Sequence, residues 1–204
     1  MALSERLQKI DRRVAYGLLF VIMAASLLWP VRLPIVVSSE GRGFYQAVEA
    51  TAPEKLVLVA ADWDAGTLPE NGTQTEAVVR HLMSLKRRFA VVGFAWPAGP
   101  ELADGIARKV AAEYGCEYGR DWVNLGFKPS LAIALMTLAK DIPGFYKNDA
   151  KGTPLSELPV MAGIKGIEDV SLIAQFTSAA TLESYIAFVW GPYKTPLAHG
   201  CTAI

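Results

Sequence analysis

Apolar positions along this chain come in runs of two lengths, and between them they recur at helical spacing. The longest run, Val14 to Val31, reads "VAYGLLFVIMAASLLWPV" and carries no charge. As a helix its eighteen residues would cover about 27 Å, close to the hydrocarbon thickness of a bilayer. The shorter runs are of strand length. "KLVLVAA", "FAVVGFAW" and "DVSLIAQF" are continuous apolar stretches of the kind buried on both faces of a parallel sheet. A short strand is expected at Trp122 to Leu125 and a last one within "PLAHGCTAI".

Segments with helical spacing separate the strands. "GFYQAVEATA" puts Phe44 and Val48 on one face, and "TQTEAVVRHLMSLKRR" aligns Val78, Leu82 and Leu85. "GPELADGIARKVAAEYG" aligns Leu102, Ile106 and Val110, with Gly115 as its stop. "LAIALMTLAKDI" and "TLESYIAFVWG" complete the set, with a Gly/Pro-containing loop expected from Pro143 to Lys165. Strand-helix-strand repetition predicts an α/β fold: one N-terminal transmembrane helix, then a Rossmann-like layered domain with a mainly parallel sheet. A sheet ending on its last strand leaves one face for a further helix or another chain to cover.

Charge placement adds a topology. Arg6, Lys9, Arg12 and Arg13 precede the apolar run, against Glu5 and Asp11, and few basic residues follow it directly. That bias places residues 1–13 in the cytoplasm as a basic N-terminus, residues 14–37 in the membrane as an anchor, and residues 38–204 outside the cytoplasm. Trp29 sits where an aromatic anchor meets headgroups, and Pro30 and Pro34 make that end irregular. A cleaved signal peptide is the rival reading, with "VVSSEG" as a processing site, but the run is long for one and no Ala-x-Ala follows.

Composition excludes more than it proposes. Hydrophobic residues at 52% support a packed core, and twenty basic residues balance twenty acidic ones. No basic patch interleaves with aromatics, so nucleic acid is not an expected partner. The expected partners are the lipid bilayer and a membrane protein or a second copy of the chain. Two Cys and two His in scattered positions make no zinc pattern, and Cys116 and Cys201 read as buried thiols or as an extracytoplasmic pair. "NGT" at Asn71 matches a glycosylation sequon.

Candidate chemistry concentrates after the strands. "DWDAGTL" places Asp62, Asp64 and Thr67 at a strand end, the edge where α/β proteins bind ligands. Turn formation also explains them: Asp64 closes an Asx-turn over Gly66, and Thr73 caps the next helix. "YGRDWVNLGFKPS" is the second concentration. Asn124 and Lys128 can reach an anion over the helix starting near Ser130. The structural alternative makes Arg120 and Asp121 a surface pair and Ser130 a cap. Ser178 follows a strand without the glycines of a nucleophile elbow. A Ser178–His199–Asp62 triad or a Cys201–His199 pair can be drawn, while Thr177, Ser178 or Thr181 also serves as a helix cap. His81 is expected to be exposed.

Two resemblances follow from these residues. "DWDAGTL" and Lys128-Pro129 resemble motifs of the haloacid-dehalogenase-like phosphatases, and "GIEDVSLI" is similar to their acidic loop. That likeness implies a Mg²⁺-dependent phosphohydrolase in which Asp62 attacks phosphorus, Asp64 is the acid/base and both hold the metal. The chain departs from the pattern at the inserted Ala65 and at "VVGFAW", which lacks the phosphate-holding Ser or Thr. "YGRDWVNLGFKPS" resembles the Tyr-Gly-x-Asp-x-Val-Asn-Leu-Gly-x-Lys-Pro stretch of a group of prokaryotic membrane-anchored proteins. Those also open with a membrane helix and carry an Asp-aromatic-Asp loop, and the likeness spans Val14 to Ile204. It implies topology and no particular reaction or cofactor. The leading expectation is a membrane-anchored binding or assembly module with Asp62, Asp64, Thr67, Asn124 and Lys128 as candidate ligand-binding residues. The Mg²⁺ phosphohydrolase and a serine-type hydrolase using Ser178 are the alternatives.

Overall fold

A computed structural model describes residues 11–29 and 36–202. The chain forms two bodies, residues 1–38 and 39–204. Within the first, helix α1 spans Arg12–Leu28, and Asp11 caps it by accepting from the Arg13 N–H. Its seventeen residues rise about 26 Å, somewhat short of the ~30 Å of a hydrocarbon core. Among the described residues no helix is long and apolar enough to cross a membrane. The expected span over 14–37 reaches past this helix, which opens on two arginines and stops at Leu28; residues 30–35 lie outside the described ones. No side chain of α1 is buried.

The second body is a three-layer α/β domain. Its strands are β1 (Leu56–Asp62), β2 (Phe89–Gly93), β3 (Trp122–Phe127), β4 (Val170–Thr177) and β5 (Leu197–Cys201). All pair in parallel, in the order β3-β2-β1-β4-β5. The expected Rossmann-like layering is present, and the sheet is wholly parallel rather than mainly so. β1, at its centre, is buried along its entire length, which is why "LVLVAAD" needs no polar face.

Helices α2 (Ser39–Glu49), α3 (Thr73–Ser84) and α4 (Ala98–Tyr114) cover one face. Val57, Val59, Val91 and Leu172 point toward them and pack with Val48, Val79, Leu82, Ala103 and Val110. The alternate strand positions Leu56, Leu58, Val92 and Ile173 face the other layer, as a two-residue period requires. That layer holds α5 (Leu131–Lys140), the short α6 (Ile142–Tyr146) and α7 (Leu182–Tyr185), which continues through a π-helical turn to Trp190. The expected loop from Pro143 onward is therefore partly α6 and a series of 3₁₀ turns that bury Leu155, Val160 and Ile167.

Two local features set the carboxyl edge of the sheet. Glycines bring α4 against the end of β1. A Cβ added to Gly99 would lie 2.1 Å from the Ala61 carbonyl oxygen and 2.7 Å from that of Trp63. Next, β3 carries a bulge. Val91 pairs with Asn124 and Val92 with Gly126, so Leu125 is the extra residue. Asn124 Oδ1 accepts the Gly126 N–H at 2.8 Å, and Gly126 takes a φ of 80° that suits glycine.

Candidate functional site

β1 and β4 lie side by side, and the chain leaves them toward opposite edges of the sheet. That divergence is where an open α/β sheet forms its ligand crevice. Here the crevice is occupied by the protein's own side chains, centred on Asp62. The Asp62 carboxylate is fully buried. Its Oδ1 accepts from the Phe94 N–H at 2.7 Å and the Ala95 N–H at 3.1 Å. Its Oδ2 accepts from the Tyr185 hydroxyl at 2.7 Å and from Gln175 Nε2 at 3.4 Å. These bonds also explain why β2 stops at Gly93 instead of running to Trp96. Its next two N–H groups turn to the carboxylate rather than to a neighbouring strand.

Among the described residues no cation bonds to Asp62. Burial raises its pKa above the ordinary aspartate value, and the four donors act against that rise. Burial also raises the Tyr185 hydroxyl well above the usual phenol range, with the Asp62 charge adding to it. Tyr146 is raised for the same two reasons.

The network continues away from the carboxylate. Gln175 Nε2 donates to Thr181 Oγ1 at 2.6 Å, and Thr181 donates to Thr177 Oγ1 at 3.0 Å. Thr177 lies 3.1 Å from the Asp62 carbonyl and accepts from the Ala179 N–H. Gln175 Oε1 meets His199 Nδ1 at 2.9 Å. Burial lowers the His199 pKa and so favours the neutral ring.

The sequence-expected residues separate in this arrangement. Asp64 accepts the Gly66 N–H at 2.9 Å, the expected Asx-turn, and Thr67 bonds to the Asp64 carbonyl at 3.3 Å. Asn124 is buried; its amide donates to the Pro100 carbonyl and its oxygen stabilises the β3 bulge. Lys128 Nζ lies over the rings of Phe145 and Tyr146, 5.7 and 5.6 Å from their centroids. Each of the five is thus engaged locally, and they share no hydrogen-bonded centre. Among the described residues no three His, Cys, Asp or Glu side chains are grouped to hold a metal ion. A nucleophilic Asp62 would need a lone pair open to substrate, and all its oxygens face donors inside the core. Asp62 with Asp64 therefore does not form the Mg²⁺ pair that the phosphatase resemblance implies.

The drawn triad is not assembled either. Gln175 stands between His199 and Asp62, and Ser178 is tied to the Asp62 carbonyl through its backbone N–H. Both cysteines are free, and Cys201 is exposed rather than buried. Asn71 is buried with Nδ2 on the Thr177 carbonyl, so the sequon is closed to a glycan. Thr73 bonds back to the Pro69 and Glu70 carbonyls and does not cap α3, and Ser130 makes no cap bond. His81 is mostly buried, bonded to Glu49 at 2.8 Å and stacked on Tyr45. The surface pairing of Arg120 with Asp121 holds, and Glu117 joins it.

Two residues that sequence reasoning passed over, Gln175 and Tyr185, complete the cluster. Gln175 interrupts an otherwise apolar central strand, "SLIAQFT", and a buried amide needs partners. Beside this cluster an open pocket of about 370 Å³ lies between α2, α3 and the end of β5, with Phe44, Val48, Val78, Phe176 and His199 in its wall.

Comparison with protein-family models, with curated proteins and with solved structures finds no match to this chain.

Proposed function

We propose that this chain is a membrane-tethered α/β binding or assembly module. A single-span anchor begins with α1, the N-terminus is cytoplasmic and the folded domain is extracytoplasmic. The observation that carries the reading is α1 itself. From Val14 to Leu28 it has no charged residue and its side chains bury nothing; Phe20 is 73% exposed and Leu27 81%. A helix apolar on all sides needs apolar surroundings, and lipid supplies them. Arg12 and Arg13 sit at its start, where basic residues stay on the cytoplasmic side.

The α/β domain supports binding over catalysis. The Asp62 carboxylate at the crevice is enclosed and saturated with donors, while an open pocket lies next to it. The partners that fit are lipid along α1 and a ligand, a membrane protein or a second copy at the domain. Flotation of the purified full chain with phosphatidylcholine vesicles tests the tether. The wild type should float, resist alkaline carbonate, and lose both properties when Leu19 and Ile22 become Lys. Each such charge at a helix centre costs roughly 2.5–3.5 kcal/mol on insertion scales. A wild-type chain that stays with the vesicle-free fraction refutes the tether. A reporter fused after Ile204 tests orientation and should be active only outside the cytoplasm.

A further inference from the structure

The pocket beside α2 is more than a gap between helices, because the buried cluster fixes the chemistry of one of its walls. Its volume of about 370 Å³ falls in the range of small-molecule sites. Phe44, Val48, Ala77, Val78 and Phe176 make the lining largely apolar. Gly200 is what lets β5 sit this close to Phe176: a Cβ there would lie 2.9 Å from the ring. The polar lining residues apart from His199 are already engaged, Glu40 by the Ser39 hydroxyl and Tyr45 by Glu49. Gln74 donates to the Cys201 carbonyl and accepts from Asn71, and His81 is bonded to Glu49.

His199 differs. Gln175 Nε2 is a donor, because it faces Thr181 Oγ1 and the Asp62 carboxylate. Its Oε1 is therefore the acceptor opposite His199, and the proton of the neutral ring belongs on Nδ1. Nε2 then carries a lone pair, and among the described residues it has no hydrogen-bond partner. The relay from the Phe94 and Ala95 N–H groups through Asp62 and Gln175 thus ends in an acceptor on a residue of the pocket wall.

We propose that this pocket binds a small uncharged molecule with a ring-sized apolar body and a hydroxyl group that donates to His199 Nε2. Apolar area supplies the contact, and the fixed tautomer supplies the selection: a hydroxyl finds its acceptor, and the corresponding ether does not. Gln175 is a positioning residue that acts through His199. The proposal rests on the binding half of the function above and is independent of the tether.

The test uses 2-naphthol and 2-methoxynaphthalene on the ¹⁵N-labelled full chain in detergent micelles, read by long-range proton–nitrogen spectra of the imidazoles. His199→Gln assigns the signals. The free protein should show a protonated Nδ1 and an unprotonated Nε2. 2-Naphthol should move the Nε2 resonance saturably, and the ether should bind at least about tenfold more weakly, as loss of one well-made hydrogen bond implies. Ala77→Phe, a change on an exposed helical position, should block binding of 2-naphthol while leaving the tautomer intact. The opposite tautomer, equal affinities for the two probes, no saturable shift, or undiminished binding by Ala77→Phe each overturns the proposal. Vesicle flotation that fails while 2-naphthol still binds removes the tether alone, and the converse removes the pocket alone.

Discussion

Gly99 and Gly105 lie in one helix, α4, and the same Gly→Ala change is expected to have opposite signs at the two positions. At Gly99 the new Cβ would be 2.1 Å from the Ala61 carbonyl oxygen and 2.7 Å from that of Trp63. A carbon and a carbonyl oxygen need about 3.2 Å or more, so the start of α4 must retreat by about 1 Å from the end of β1. Both obstructing atoms are backbone, one within the buried β1 and one just past its end, and cannot swing aside. Overpacking of this kind costs about 1–3 kcal/mol, and the helix preference for Ala over Gly returns about 0.5–1 kcal/mol. With two fixed contacts the net destabilisation should be about 2 kcal/mol. At Gly105 nothing lies within 4 Å of the added Cβ, so only the preference remains and Ala should stabilise by about 0.5–1 kcal/mol. Equilibrium urea unfolding of the full chain, followed by tryptophan fluorescence, gives both numbers, and thermal midpoints should part in the same directions. If Gly99→Ala matches the wild type, or if both variants shift the same way, the close seating of α4 on β1 is wrong. The packing of α4 over the Asp62 end of β1 would fall with it.

The Asp62 cluster yields further tests. The folded pKa of Asp62 lies above its unfolded value, so the folded wild type gains stability as pH falls through the folded pKa toward the ordinary aspartate range. Asp62→Asn lacks that linkage. The wild-type minus variant difference should therefore tilt toward the wild type between pH 7 and 4, by at most about 1.4 kcal/mol per pH unit, and a flat difference in urea titrations contradicts the burial argument. Tyr185→Phe keeps the ring and removes one donor at 2.7 Å from a buried carboxylate; a loss of about 1.5–3 kcal/mol is expected, and wild-type unfolding free energy would show that the bond is not made. Gly126→Ala should cost about 1–2 kcal/mol because its φ of 80° is strained for an L side chain; an unchanged denaturation midpoint would remove the bulge.

The strands and helices were legible because each has one dominant period. Continuous apolar runs marked β1, β2 and β4, and the spacings of Val78, Leu82 and Leu85 and of Leu102, Ile106 and Val110 marked α3 and α4. The site was legible only in part. The sequence places two acids at a strand end, and one of them, Asp64, closes the turn its neighbours suggest. The fate of Asp62 depends on Tyr185, 123 residues away, and on backbone groups after β2, and no local pattern encodes such a meeting. His81 shows the same limit. It sits beside a basic run that suggests solvent, yet Tyr45 and Glu49 from α2 enclose it. Gln175 was the signal available in advance, since an amide inside an apolar strand requires a buried partner.

The extra residue in β3 acts on side-chain facing as a one-letter insertion acts on a reading frame. Up to Asn124 the strand presents its residues in one phase, and from Gly126 onward in the other. Lys128 then reaches the Gly93 carbonyl with its backbone N–H and the rings of α6 with its amine. Were Leu125 to pair with Val92 in a bulge-free ladder, Gly126 and Phe127 would turn to the opposite faces of the sheet. The bulge is what keeps the end of β3 in phase with β2 despite the extra residue.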